Sequence, residues 1–264
     1  MTPSVSIAPA LTPVLATVAV VLTACGSSGV VGFGAKTSAV ASPTVTERPG
    51  LGTSWGEPVN APISFAPFTR ASSTPWAELA LHYNDAAGIR AHAAFLGAQP
   101  MPLEVPAGDG ALSVTLVDDD GRALPGYYAG GRALIVGEHG GRYTIVVHNE
   151  TRARFEVVAS VDGLDVIDGE PADPNRRGYV VDPYGTLMIE GFRTSDNAVA
   201  AFRFGRVAES YAAQTSGDRN AGIIGLAVFA EAGAEPGRSW YADELHVRDT
   251  ADPFPARGYA VPPR

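Results

Sequence analysis

Apolar and polar residues alternate with a period of two in the chain after residue 110, and that pattern constrains the fold most. In Leu112–Val117 (LSVTLV), Leu112, Val114 and Leu116 share one face, and Ser113 and Thr115 the other. Only a strand puts residues i, i+2 and i+4 on one side, so the run predicts a half-buried strand. Arg142–His148 does the same with Tyr143, Ile145 and Val147, and the next run with Phe155, Val157, Ala159 and Val161. The polar residues between those two runs, Asn149–Arg152, read as a hairpin loop, which predicts that the runs pair with each other. Tyr179–Val181, Thr186–Ile189 and Val199–Phe204 continue the series. Ala221–Ala230 (AGIIGLAVFA) is apolar on both faces, as a central strand covered on both sides would be.

Upstream the pattern is weaker. Ala77–Tyr83 reads as a strand, and Ala86–Phe95 is the best helix candidate, although Gly88 weakens it. Pro62–Phe68 is short and apolar between prolines. With 30 Gly and 21 Pro in 264 residues, turns are frequent, which favours many short strands. No helical pattern separates the strands, so a parallel βαβ order is not expected. The expected fold is all-β and mainly antiparallel: a β-sandwich, jelly-roll-like, with at most one or two short helices.

The N-terminus reads as an address. Val14–Ala24 is an uninterrupted apolar or small run, too short for the ~20 residues that a membrane-spanning helix needs but suited to a signal-peptide core. It ends in Leu22-Thr23-Ala24-Cys25-Gly26, and Cys25 is the only cysteine of the chain, so no intrachain disulfide can form. This stretch resembles the lipobox of bacterial lipoproteins. The resemblance implies lipidation of the Cys25 thiol, cleavage before it, and anchoring by two or three acyl chains, where one would hold only marginally. Residues 1–24 carry no charged side chain, a departure from the usual basic start of a signal peptide. Gly26 in place of Asp implies, by the same analogy, the outer membrane of a Gram-negative bacterium. Residues 26–50 (GSSGVVGFGAKTSAVASPTVTERPG) show no periodicity and read as a flexible tether, with a root-mean-square reach of roughly 25–30 Å. The expected organisation is a signal peptide over 1–24, a lipid-anchored tether over 25–50, a β-sandwich domain over 51–251 and a Pro-rich tail over 252–264.

The stretch from Arg142 to Phe229 (RYTIVVHNE, SVDGLDVIDG, GYVVDPYGTLMIEGF, IIGLAVF) resembles a group of exported or lipid-anchored proteobacterial proteins. The resemblance implies an envelope protein with a β domain, and it implies no activity.

Chemistry-bearing motifs are sparse. The net charge of −9 argues against a nucleic-acid partner, which calls for a basic face. The five histidines form no H-x-x-x-H or H-E-x-x-H pair, and there is no G-x-S-x-G, Walker A or dinucleotide fingerprint. Asp162, Asp165 and Asp168, in SVDGLDVIDG, have two readings: ordinary turn residues, or oxygen ligands for Ca²⁺. Their i, i+3, i+6 spacing is not that of a calcium loop. Asp118-Asp119-Asp120-Gly121 reads as a solvated turn, with the same metal alternative. The stretch Glu170–Tyr184 is the candidate recognition loop. It joins Arg176, Arg177, Tyr179, Asp182 and Tyr184 to prolines that restrict the chain, and Arg and Tyr are enriched at binding hot spots. Ser210–Asn220, with Tyr211 and Arg219, reads as a second polar loop. Two functions remain open. One is a non-enzymatic binding or assembly module whose partner is an envelope protein or a glycan. The other is a carbohydrate-active hydrolase using a carboxylate pair that sequence cannot locate.

Overall fold

The computed structural model describes residues 47–97, 99–100, 104–236 and 242–252. The expected signal peptide, Cys25, most of the tether and residues 253–264 lie outside the described residues.

The chain opens with β1 (Leu51–Asn60), β2 (Ala77–Asn84), α1 (Ala86–Leu96), β3 (Gln99–Pro100), β4 (Val105–Ala107) and β5 (Leu112–Val117). There follow β6 (Gly126–Ala129), β7 (Arg132–Val136), β8 (Arg142–Asn149), β9 (Phe155–Val161), β10 (Leu164–Asp165) and β11 (Tyr179–Val181). The series closes with β12 (Thr186–Ile189), β13 (Gly191–Ser195), β14 (Ala198–Arg206), α2 (Tyr211–Thr215), β15 (Ile223–Ala230) and α3 (Ala242–Asp249). Two sheets result. One runs β1-β14-β8-β5-β4, with β12 also on β8 and β13 also on β14. The other runs β10-β9-β15-β2-β7-β6-β3, with β11 also on β9. The fold is therefore mostly β and sandwich-like, with three short α-helices among the described residues rather than one or two. All strand pairs among the described residues are antiparallel except β2 with β7, which are parallel and separated in the chain by α1 and the strands β3 to β6.

The core forms where the alternation predicted it. Leu112, Val114, Leu116, Tyr143, Ile145, Val147, Phe155, Val157, Ala159 and Val161 are all buried. Each large apolar side chain removed from water contributes ~1.5–3 kcal/mol, whereas an exposed ion pair adds at most ~1 kcal/mol, so this inward face carries the stability. Tyr143 stacks on Phe204 with ring centroids 4.4 Å apart, and Tyr83 of the facing sheet lies 5.3 Å from Phe204. On β15, Ile224, Leu226 and Val228 join this core, while Ala227 and Phe229 form a small cluster with Val158 on the outer face. That strand is covered on both sides, as its composition predicted.

One expected pairing is wrong. β8 and β9 do not form a hairpin: β8 pairs with β5, β12 and β14, and β9 with β10, β11 and β15. The polar link between them crosses from one sheet to the other. Asn149 and Thr151 are buried in it: Asn149 Nδ2 donates to the carbonyls of Ala153 (2.7 Å) and Asp182 (2.9 Å), and Asn149 Oδ1 accepts from the amide and hydroxyl of Thr151. These internal bonds satisfy a turn that would otherwise need water.

The helix expected over Ala86–Phe95 is α1. Asp85 caps it by accepting from the amide of Gly88 at 2.7 Å, and Gly97 ends it in the left-handed conformation. The expected loop Ser210–Asn220 instead begins with α2, capped by Ser210, whose hydroxyl accepts from the amide of Ala213. The prolines that lie within strands, Pro58, Pro100 and Pro106, sit in the edge strands β1, β3 and β4, where a missing N–H costs no ladder bond and discourages edge-to-edge association.

Candidate functional site

The stretch from Asp168 to Tyr184 is a built structure. Asp173 accepts from the amide of Asn175 through its side chain and from the amide of Arg176 through its carbonyl, making a tight turn around Pro174. The bond from Asn175 also holds the Asp173 carboxyl below its ordinary pKa. Arg176 turns back to pair with Asp168. Arg70, from the coil that follows β1, staples the stretch to the sheet. Its Nε donates to Glu156 at 2.6 Å and its other nitrogens reach the carbonyls of Pro174 and Arg176. The same guanidinium lies 3.6 Å over the ring of Phe229, so it also covers the outer face of β15. Glu156, nearly buried, takes a second bond from the amide of Gly178 at 2.7 Å.

Stapling places the 61–69 coil opposite β11 and leaves a groove of about 440 Å³ between them. Phe65, Phe68, Arg154, Arg177, Tyr179 and Arg193 line it. Phe65 is 71% exposed. Tyr179 is held in place by Arg193, whose Nε donates to the phenol oxygen at 2.9 Å. Arg193 spends its other bonds on the carbonyls of Ala61 and Ser195. Arg154 pairs with Glu231 at 2.7 Å and with Asp182 at 3.2 Å. Arg177 is exposed and has no hydrogen bond or ion pair among the described residues. The volume is that of a small-ligand site. Its walls offer flat aromatic faces beside planar cationic donors, a set suited to an amphipathic anion.

The candidate loop thus divides. Arg177, Tyr179 and Asp182 reach the groove. Arg176 does not line it: its guanidinium is engaged by Asp168 and its carbonyl by Arg70. Tyr184 also lies outside the lining, 59% exposed, with positive φ and its amide donated to the Thr151 carbonyl. Sequence reasoning missed Arg154, Arg193, Phe65, Phe68 and Arg70. The alternation put Arg154 on an outward face, but no local signal brings residues 61–70 against residue 179, more than a hundred positions later.

The three aspartates offered as calcium ligands serve three separate sets of donors. Asp162 and Gly163, both with positive φ, form the two-residue turn between β9 and β10. The Asp162 carboxylate points inward. Oδ1 accepts from the Tyr83 hydroxyl (2.5 Å) and the Gly222 amide (2.8 Å), and Oδ2 from the Thr53 amide (2.6 Å). Burial pushes its pKa up, against those hydrogen bonds, which pull it down. Asp165 Oδ1 accepts from the amides of Ile167 and Asp168, while its buried Oδ2 has no hydrogen-bond partner among the described residues. Burial raises this carboxyl as well. Asp168 serves the Glu170 amide and Arg176. Asp118 closes the turn expected at 118–121 by accepting from the amides of Asp120 and Arg122. Among the described residues, no group of three or more His, Cys, Asp or Glu is placed to hold a metal ion.

Two histidines on consecutive elements do meet. The rings of His82 on β2 and His92 on α1 lie 5.8 Å apart, edge to face, and burial followed by the repulsion of His92 and Arg132 lowers the His82 pKa. Among the described residues no helix is long and apolar enough to cross a membrane. Compared with protein-family models, with curated proteins and with solved structures, the chain matches none.

Proposed function

We propose that this chain is an envelope lipoprotein, anchored through lipid on Cys25 in the outer membrane of a Gram-negative bacterium, whose β domain is a non-enzymatic binding module. The observation that carries the binding role is the groove between the 61–69 coil and β11, where Phe65 and Arg177 stand exposed beside Tyr179. The address rests on the apolar run 14–24 and on Leu22-Thr23-Ala24-Cys25. The partner is a glycan or an envelope protein displayed near the membrane surface, and nucleic acid is disfavoured by the net charge of −9. The groove carboxylates favour binding over hydrolysis at this site: Glu156 is tied to Arg70 and Asp182 to Arg154.

A photo-reactive phenylalanine analogue at position 65, in full-length protein in its native membrane, tests the reading. The expected result is a discrete adduct that is lost when Arg177→Ala is added. No adduct at 65 or at a second groove position, 179, in membrane-bound protein would overturn it.

A further inference from the structure

We propose that the groove takes a short acidic saccharide, one whose hexuronate residues alternate with neutral or N-acetylated sugars, and that Arg177 receives the carboxylate. This rests on the reading of the groove as a binding surface. The argument begins with charge. Three guanidinium groups, Arg154, Arg177 and Arg193, line a groove on a chain whose net charge is −9. Both carboxylates in the walls already have cationic partners: Glu156 pairs with Arg70, and Asp182 with Arg154. Arg193 is bonded only to neutral oxygens, of Tyr179, Ala61 and Ser195. Arg177 has no bonded partner among the described residues. Arg177 and Arg193 therefore lack a carboxylate partner among the described residues; with Arg154 held by both Asp182 and Glu231, the cluster keeps one net positive charge, and a guanidinium matches a carboxylate through two parallel hydrogen bonds.

Shape narrows the class. A bare inorganic anion would meet the charges and leave Phe65 and Phe68 unused. A neutral sugar would pack its C–H face on those rings and leave both charges bare. A hexuronate has both surfaces, and its hydroxyls suit the mixed donors and acceptors of Ser64, Tyr179 and Asp182 that share the lining. A peptide strand added at β11, which pairs only with β9 among the described strands, would find the Gly178 amide already taken by Glu156. A cavity of about 440 Å³ admits roughly two sugar rings. The overall negative charge of the protein disfavours a polymer charged at every unit. It acts little on one or two carboxylates neutralised on contact, since charges beyond ~8 Å are screened at physiological salt.

Calorimetric titration of the full-length protein with a glucuronate–N-acetylglucosamine tetrasaccharide and its carboxyl-reduced counterpart tests the assignment. The expected result is at least tenfold tighter binding of the acidic form. Arg177→Ala should abolish that preference, and Arg219→Ala should leave it unchanged. Equal binding of the two forms, or an unchanged preference in Arg177→Ala, would overturn it. Should neither sugar bind while peptides or other probes shift the Tyr179 and Phe65 resonances, the saccharide assignment fails and the groove remains a binding surface. Should no probe of any class perturb those resonances, both fail.

Discussion

Thr53 and Asp162, 109 residues apart in the chain, are joined inside the protein by a 2.6 Å hydrogen bond from the Thr53 amide to the Asp162 carboxylate. The Thr53 hydroxyl continues the connection to the phenols of Tyr83, at 2.7 Å, and Tyr143, at 2.6 Å. These residues belong to β1, β2, β8 and the β9–β10 turn, so one polar network ties the two sheets together. Burial raises both tyrosine pKa values well above the ordinary value, which keeps the phenols neutral and able to donate.

Asp162→Ala removes both acceptor oxygens and leaves three donors unmet, the buried Thr53 amide and Tyr83 hydroxyl and the half-buried Gly222 amide. Each unsatisfied buried group costs ~1–3 kcal/mol, so a loss of about 3–5 kcal/mol is expected after partial relaxation. Urea denaturation followed by tryptophan fluorescence measures it. A loss under 1 kcal/mol would show that the network does not hold the sheets.

Stability should also depend on pH. Asp162 and Asp165 both titrate above their ordinary value in the fold. Between the unfolded pKa, ~3.9, and the higher folded values, the native state binds more protons than the unfolded chain. Their contribution to stability is therefore complete below ~3.9 and falls as pH rises through the folded values. Asp165→Asn, which keeps the carbonyl acceptor for the Ile167 and Asp168 amides, should flatten part of that fall. An identical slope in wild type and variant, in denaturation curves taken from pH 4 to 8, would reject the assignment.

Arg70→Ala should be costly for a residue on a coil. It strips Glu156 of its cation, frees the carbonyls of Pro174 and Arg176, and uncovers Phe229. Removing one partner of a nearly buried pair costs ~3–5 kcal/mol. Limited proteolysis should show new cleavage within 170–178, and Arg70→Lys, which cannot span these acceptors with a planar fork, should rescue only part of the loss.

Gly178→Ala tests the floor of the groove. A Cβ there would stand 2.3 Å from the Val157 carbonyl oxygen, so β11 must move away from β9. A loss of ~1–3 kcal/mol is expected, together with weakened ligand binding. Arg177→Ala, by contrast, should change stability by less than ~0.5 kcal/mol while impairing binding.

Cys25→Ala should release the protein from the membrane fraction, or leave it unprocessed. Equal membrane retention of the variant, with no lipid mass on the wild type, would remove the anchor from the proposal.

Much of the core was legible because period-two alternation in LSVTLV, RYTIVVH and FEVVASV depends on local sequence alone. Pairing was not legible. Tyr143 and Phe155 face the same core whether their strands are neighbours in one sheet or sit in opposite sheets, so alternation cannot tell a hairpin from a crossing. The buried Asn149–Thr151 bonds that decide between them look, in sequence, like any polar turn. β1 escaped because Gly52, Ser54, Gly56 and Pro58 dilute its pattern. What makes it a strand is its long pairing with β14 and the acceptors supplied by Asn84 and Asp162. The candidate loop was visible as an Arg/Tyr cluster. Its division into a groove-lining Arg177 and a structural Arg176 depends on Asp168 and Arg70, which only the tertiary fold brings near.

β1 is the first strand after the segment read as a tether, so a pull on the chain from its N-terminal side enters the domain at Leu51. There the Leu51 amide is held by Asn84 and the Thr53 amide by Asp162, both on the facing sheet. Load is thereby passed across the sandwich within three residues, instead of peeling β1 from β14 one rung at a time. The network that ties the sheets together is placed to act as a mechanical stop, which would let the domain keep its groove open under load from the proposed anchor.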